Sequence, residues 1–203
     1  VPLIGLFNIY NALAAITCAR AFGVPLKTIH KALTNLSPIK GRVERFQSPK
    51  NADRKVTAVV DYAHTPDALT KALSALRPIA DQRDGKVWCV FGCGGDRDSG
   101  KRPQMGRAAQ ELADHIVITS DNPRSENPDS IIAMIQAGMS GDLSNVQALP
   151  DRAAAIMAAV RHADIQDIVL VAGKGHESTQ EINGKKFDFS DQEHIRLAAG
   201  GSV

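Results

Sequence analysis

The sequence predicts an α/β fold: a mostly parallel sheet with helices on both faces and a C-terminal β-hairpin, preceded by a short helical segment. Three observations carry this. Short β-branched runs (VTAVVDY, KVWCVF, HIVITS and DIVLVA) alternate with longer segments of helical periodicity. The runs are nearly continuous rather than alternately apolar and polar, the pattern of strands covered on both faces. Asn183-Gly184 divides TQEINGKKFDF into two alternating halves, a strong signal for a two-residue hairpin.

In chain order, Phe7 to Phe22 has helical periodicity closed by Gly23, and Pro25 to Leu36 predicts a second helix ending before Ser37-Pro38. Together they predict a helical hairpin. A strand over Val56 to Tyr62 follows, then a helix over Pro66 to Ile79, with Thr65 as cap and Pro66 in the first position. Next come a strand over Lys86 to Phe91, a helix over Pro103 to Ala113 and a strand over His115 to Ser120. Helices over Pro128 to Gly138 and Asp151 to His162 precede a strand over Asp167 to Ala172. The hairpin and a last helix, Asp191 to Ala199, complete the chain. The strongest boundary lies near Pro38 to Gly41, dividing a helical part, residues 1–40, from a Rossmann-like part, residues 41–203. No internal repeat or low-complexity segment is present.

Composition narrows the function classes. A chain of 203 residues with 43% hydrophobic residues can bury one sizeable core and a smaller appended piece. Its 24 basic and 22 acidic residues are interspersed, without a basic block or interleaved aromatics, so nucleic acid is not an expected partner. The apolar opening VPLIGLFNIYNALAAITCARAFGV is broken by Asn8, Asn11 and Arg20 and lacks a cationic leader, so neither a membrane span nor a signal peptide is expected. Three cysteines, Cys18, Cys89 and Cys93, point to a reducing compartment, by default the cytoplasm. A chain that begins with Val and enters a helix at once is expected to continue a longer one.

Three polar loops stand at strand ends: GCGGDRDSGKRP after Phe91, DNPRSE after Ser120 and GKGHES after Ala172. In an open α/β sheet ligands bind beyond the carboxyl ends of the strands. Neighbouring parallel strands would gather these loops into one crevice lined by Arg97, Lys101, Arg102, Asp121, Asn122, Arg124, Lys174, His176 and Glu177. Guanidinium groups for carboxylates beside acids and carbonyls for an ammonium suit a zwitterion. GDRDSGK, Gly95 to Lys101, also matches the GxxxxGK of a phosphate-binding loop. Arg102 follows where Ser or Thr would hold magnesium, and Asp96 and Asp98 put negative charge where phosphates would lie, so a free-standing, degenerate P-loop NTPase or kinase is only an alternative. A non-catalytic amino-acid-binding domain is another. Cys89 and Cys93, without a second pair, read as packed thiols rather than metal ligands. His64, beside Asp61 in DYAHTPD between a strand and a helix N-terminus, suits ligand contact or capping equally.

DNPR, taken with GCGGDRDSGKRP, DYAHTPD, GKGHE, FNIYNALAA and GRVE in this order, resembles the Mur ligase family, in its diaminopimelate-adding branch. The resemblance covers the family's C-terminal domain and the tail of its central ATPase domain, less than half of a full-length member. It implies a module of an ATP- and Mg2+-dependent amide ligase that joins meso-diaminopimelate to UDP-N-acetylmuramoyl-L-alanyl-D-glutamate through an acyl phosphate. Magnesium ligands and the phosphate loop would belong to the missing half, leaving this part inactive alone. Carried over position by position, the family's amino-acid pocket falls on Arg97, Asn122, Arg124, Gly173 and Glu177. Asn8 and Asn11 resemble its adenine-side residues, Arg42 and Asp61 its phosphate and ribose contacts, and His64 would line the same space.

Overall fold

A computed structural model describes residues 5–37, 39–47 and 56–200, so Val1 to Ile4 of the apolar opening and Pro38 of the expected boundary lie outside the described residues. Helices α1 (Leu6–Ala21) and α2 (Leu26–Thr34) form the leading pair. A six-stranded sheet then assembles from β1 (Glu44–Gln47), β2 (Thr57–Asp61), β3 (Val87–Phe91), β4 (His115–Ile118), β5 (Val146–Ala148) and β6 (Ile168–Ala172). Its order is β1-β2-β6-β3-β4-β5, parallel throughout except for the antiparallel edge strand β1. Helices α3 (Pro66–Asp81), α4 (Lys101–Leu112), α5 (Pro128–Gln136) and α6 (Arg152–His162) connect the strands. The hairpin of β7 (Thr179–Ile182) and β8 (Lys185–Asp188) and helix α7 (Asp191–Ala198) follow.

The continuous apolar strands divide their residues between two cores by the two-residue period of the strand. Ile168, Leu170 and Ala172 of β6 pack with Leu69, Leu73, Leu76, Met105 and Ile135 of α3, α4 and α5. Val169 and Val171 point the other way, onto Ala155, Ile156, Ala159 and Ile195 of α6 and α7. Capping follows the sequence. The side chains of Thr65, Asn127, Asp151 and Ser190 each accept a backbone N–H in the first turn of α3, α5, α6 and α7. Asn183 and Gly184 take φ of 49° and 72°, the turn that matches the strand twist.

Two strands lie outside the sequence expectation. β1 and β5 are both sheet edges, and β5 has only three residues, half-buried or exposed. Edge strands pair on one side, so they need neither length nor a continuous apolar run. Helix α4 begins at Lys101, two residues ahead of Pro103, because an Asx turn closes the preceding loop: Gly100 N–H donates to Asp98 Oδ1 at 2.9 Å. Among the described residues no helix is long and apolar enough to cross a membrane.

Candidate functional site

Strand β3 lies between β6 and β4, so the loops after these three strands meet at one end of the sheet. At their junction Lys174, wholly buried, donates to Asn122 Oδ1 at 2.9 Å and to Glu177 Oε2 at 3.2 Å, and lies 3.5 Å from Asp121 Oδ1. Glu181 N–H also donates to Asn122 Oδ1, at 3.0 Å. With two donors on its oxygen, the Asn122 amide turns its nitrogen to Glu177 Oε2, 3.0 Å away. A buried cation thus orients an amide and a carboxylate. Both bonds fall on Glu177 Oε2, and Oε1 accepts no hydrogen bond from a described residue.

Gly173 sits on the β6 side of this cluster with φ of 117°, which a side chain would strain, and a Cβ there would come within 3.2 Å of Asp121 Oδ2. Arg124 stands opposite. Its Nη1 donates to the Gly95 carbonyl at 2.7 Å, and its Nε lies 3.3 Å from Glu181 Oε2. The exposed Arg97 lies on the other flank of Gly94, where a Cβ would touch both its Cγ and Arg124 Nη1. Two guanidinium groups at one end and an oriented carboxylate at the other can hold a zwitterion with an extra carboxylate.

Other expected members of the crevice divide differently. Arg102 is wholly buried and makes a two-pronged pair with Glu126, at 2.8 and 2.7 Å, while its Nη2 donates to the Gly94 carbonyl at 3.2 Å. It therefore supports the loop from beneath and does not line the crevice. Hydrogen bonds from Arg102 and the Asp96 N–H hold the Glu126 carboxyl down at about 2. Asp96 accepts from Ser125 Oγ at 2.7 Å, which fastens the GDRDSGK loop to the DNPRSE loop. Lys101 Nζ donates to the His64 carbonyl at 2.9 Å, and His176 lies beside the Tyr62 ring with centroids 5.4 Å apart. Both groups face the β2 loop.

A second concavity, about 500 Å³, lies where α1 approaches α3. Asn8, Asn11, Arg42 and Asp61 line it, four of the five residues expected on the nucleotide side, together with Ile39, Asp67, Ala68, Lys71 and Ala72. Asp61 is buried, and burial raises its carboxyl above the ordinary value against the opposing Val43 and Ala63 N–H bonds and the charge of Arg42. Val43 N–H, donating to Oδ2 at 2.8 Å, fixes its orientation. Arg42 also lies over the Tyr62 ring, 4.9 Å from its centroid. His64 is exposed outside this lining, with Nδ1 2.8 Å from the Tyr62 carbonyl and its ring edge-on to that of Tyr62. Asp67 and Lys71, paired at 2.7 Å one turn apart on α3, were legible as an i,i+4 pair directly after DYAHTP, but not as pocket residues. Cys89 and Cys93 are buried in the core, and burial pushes the Cys93 thiol up to about 12. No group of three His, Cys, Asp or Glu side chains among the described residues is arranged to hold a metal.

Residues 41–175 match the family described as Mur ligase, glutamate ligase domain. Among curated proteins the chain is 56% identical over 197 residues to the UDP-N-acetylmuramoyl-L-alanyl-D-glutamate--2,6-diaminopimelate ligase of Ralstonia nicotianae, covering 97% of this chain and 37% of the relative. It is 52% identical to the ligase of the same name from Acidovorax sp., with 97% and 38% covered. The chain therefore spans little more than a third of these relatives' length. A solved structure of a ligase with that name superposes with a TM-score of 0.72 at 40% identity, over 98% of this chain and 39% of the other. A folylpolyglutamate synthase from Thermotoga maritima, 21% identical over 85% of this chain and 37% of its own, shares the fold with a TM-score of 0.63.

Proposed function

The chain belongs to the Mur ligase family, and from that premise we propose that it is the amino-acid-binding module of an ATP-dependent ligase that adds meso-diaminopimelate to UDP-N-acetylmuramoyl-L-alanyl-D-glutamate. The observation that carries this is the strand-end site, where Arg97, Arg124 and the Asn122 carbonyl all lie around Gly94, beside the Asn122-Lys174-Glu177 cluster. Diaminopimelate is a zwitterion at each end. Arg97 and Arg124 would take the carboxylate of the far centre, while Glu177 and the Gly173 carbonyl would take its ammonium.

In the reaction so proposed, the phosphoryl group of ATP passes to the γ-carboxylate of the glutamyl substrate. The amine of the second amino-acid centre then attacks that acyl phosphate, and phosphate leaves. This module contributes position: it presents the amine to the acyl carbon, which replaces a bimolecular encounter by an intramolecular one. The depression beside α1 would take part of the nucleotide, with Asn8 and Asn11 toward the base, Asp61 toward ribose hydroxyls and Arg42 toward phosphate. His64, outside the lining, would reach the same ligand only from the rim. Mg2+, which the family resemblance implies, would be held by residues of the remaining part of such a ligase.

Residues 1–40 are assigned to the neighbouring ATPase unit and residues 41–203 to the C-terminal unit. Supporting this, Ile9, Tyr10, Leu13 and Leu26 on the leading helices, with Phe22 and Ile39 after them, are all more than half exposed, apolar side chains suited to burial against further chain. The cytoplasm, where such precursors are soluble, belongs to the same reading.

Calorimetric titration of the chain with meso-diaminopimelate, with L-lysine and Arg124→Ala as controls, tests the pocket. Saturable binding that is lost with lysine and in the variant is the expected result. Equal binding of both amino acids by the parent would remove the assignment of Arg97 and Arg124 to a second carboxylate.

A further inference from the structure

The β7–β8 hairpin lies outside the main sheet, and its first strand grips the DNPR loop along its length. Gln180 Nε2 donates to the Asp121 carbonyl at 2.7 Å and Glu181 N–H to Asn122 Oδ1 at 3.0 Å. Arg124 N–H donates to the Glu181 carbonyl at 3.0 Å, and Asn183 N–H donates to the Arg124 carbonyl at 2.7 Å. Arg124 is held between them at φ of 52°, a left-handed conformation that a long side chain seldom adopts and that both bonds maintain. These contacts fix the backbone. One contact reaches the side chain: Glu181 Oε2, 3.3 Å from Arg124 Nε, both side chains being largely buried.

We infer that Glu181 is a positioning residue for the amino-acid substrate: its carboxylate, with the Gly95 carbonyl, aims the Arg124 guanidinium at the crevice and thereby sets the preference for a substrate with a second carboxylate. The inference rests on the proposed function above. Its physical basis is rotational. A guanidinium at the end of a flexible stem loses binding strength to the conformations it samples, and an anchor at Nε together with one at Nη1 leaves a single orientation. Nη2 makes no hydrogen bond to a described residue, so it is the edge left for an incoming anion. Gly94 provides the room, since a Cβ there would stand 3.0 Å from Nη1. Glu181 also offsets one of the two guanidinium charges, which lowers the cost of keeping them together before substrate arrives.

The hairpin grips the loop through backbone groups at residue 181, so a change of its side chain removes the ion pair and leaves those bonds in place. Glu181→Gln and Glu181→Ala, made in the full-length ligase that carries this segment, should raise the KM for meso-diaminopimelate about tenfold, the low end for a charge-assisted contact. The KM for ATP should stay within about twofold, as Glu181 and Arg124 are not among the residues that line the depression beside α1. Arg124→Ala should be far more damaging, and Glu181→Ala/Arg124→Ala no worse than Arg124→Ala alone, because Glu181 acts through Arg124. Glu181 variants with unaltered or lowered KM for diaminopimelate, while Arg124→Ala is impaired, would overturn the inference and leave the site reading standing. So would additive losses in the double variant, or equal rises in both KM values. Normal kinetics in Arg124→Ala would instead sink the site reading itself.

Discussion

Glu126 lies between the Arg102 guanidinium and the Asp96 N–H, and its carboxyl is held at about 2 from an ordinary 4.5. A carboxyl depressed on folding stabilises the native state fully above its ordinary value, and that stabilisation disappears as pH falls toward the folded value. Stability should therefore drop between about pH 5 and pH 2 in part through this group. In Glu126→Gln, urea midpoints over that window should change less steeply with pH than in the parent; parallel curves would discount the Arg102 pair as the cause. Cys93 gives a second expectation at this scale. Its thiol is buried and pushed up to about 12, Cys89 is buried within β3, and Cys18 is exposed. Iodoacetamide on the native protein at pH 8 should label Cys18 alone, and mass spectrometry that finds label on Cys93 would contradict the packed core. Both cysteines were legible as packed thiols from their number and spacing. Arg102 was not legible as a support, because a sequence shows that a loop carries arginines but not which one points inward.

Helices α6 and α7 meet through an ion pair with no exposed side-chain surface. Arg152 Nε donates to Asp191 Oδ1 at 2.7 Å and Nη2 to Oδ2 at 2.8 Å, while Nη2 also donates to the Ala172 carbonyl at 3.0 Å and Nη1 to the Ser120 carbonyl at 3.3 Å. One side chain therefore ties the ends of β4 and β6, the strands that carry two of the three site loops, to the last helix. Removal of one partner strands a buried charge. Arg152→Met should cost roughly 3–5 kcal/mol of unfolding free energy, whereas Arg152→Met/Asp191→Leu should recover much of it. A double variant as unstable as the sum of its singles would show that the carbonyl bonds, not the charges, dominate. At this scale the helices and inner strands were legible because burial on both faces imposes continuous apolar runs and caps mark the ends. β1 and β5 were not, because an edge strand is defined by the partner it lies beside. The hairpin was read from Asn-Gly, yet its task of holding Arg124 was invisible, since residues 124 and 181 meet only in the folded chain.

The whole molecule offers two sites with different linings: the strand-end site within the sheet unit, and the depression shared between α1 and α3. Deletion of residues 1–37 should leave the sheet folded, because neither of the two cores contains a residue of α1 or α2 among those whose side chains are described. The shortened chain should retain any diaminopimelate affinity of the parent and lose affinity for adenine nucleotide, with Asn8 and Asn11 gone; isothermal titration with each ligand distinguishes the sites. Loss of both affinities together would argue that α1 supports the entire strand end. Local chemistry in the sequence determined the helices, the inner strands and the hairpin, their order and the residue kinds at three strand ends, since periodicity, caps and turns act over a few residues. The directions of those side chains were decided by the packed molecule. Burial placed Arg102 and Lys174 inside and left Arg97 outside, and the hairpin holds the Arg124 backbone, because an orientation depends on neighbours far away along the chain.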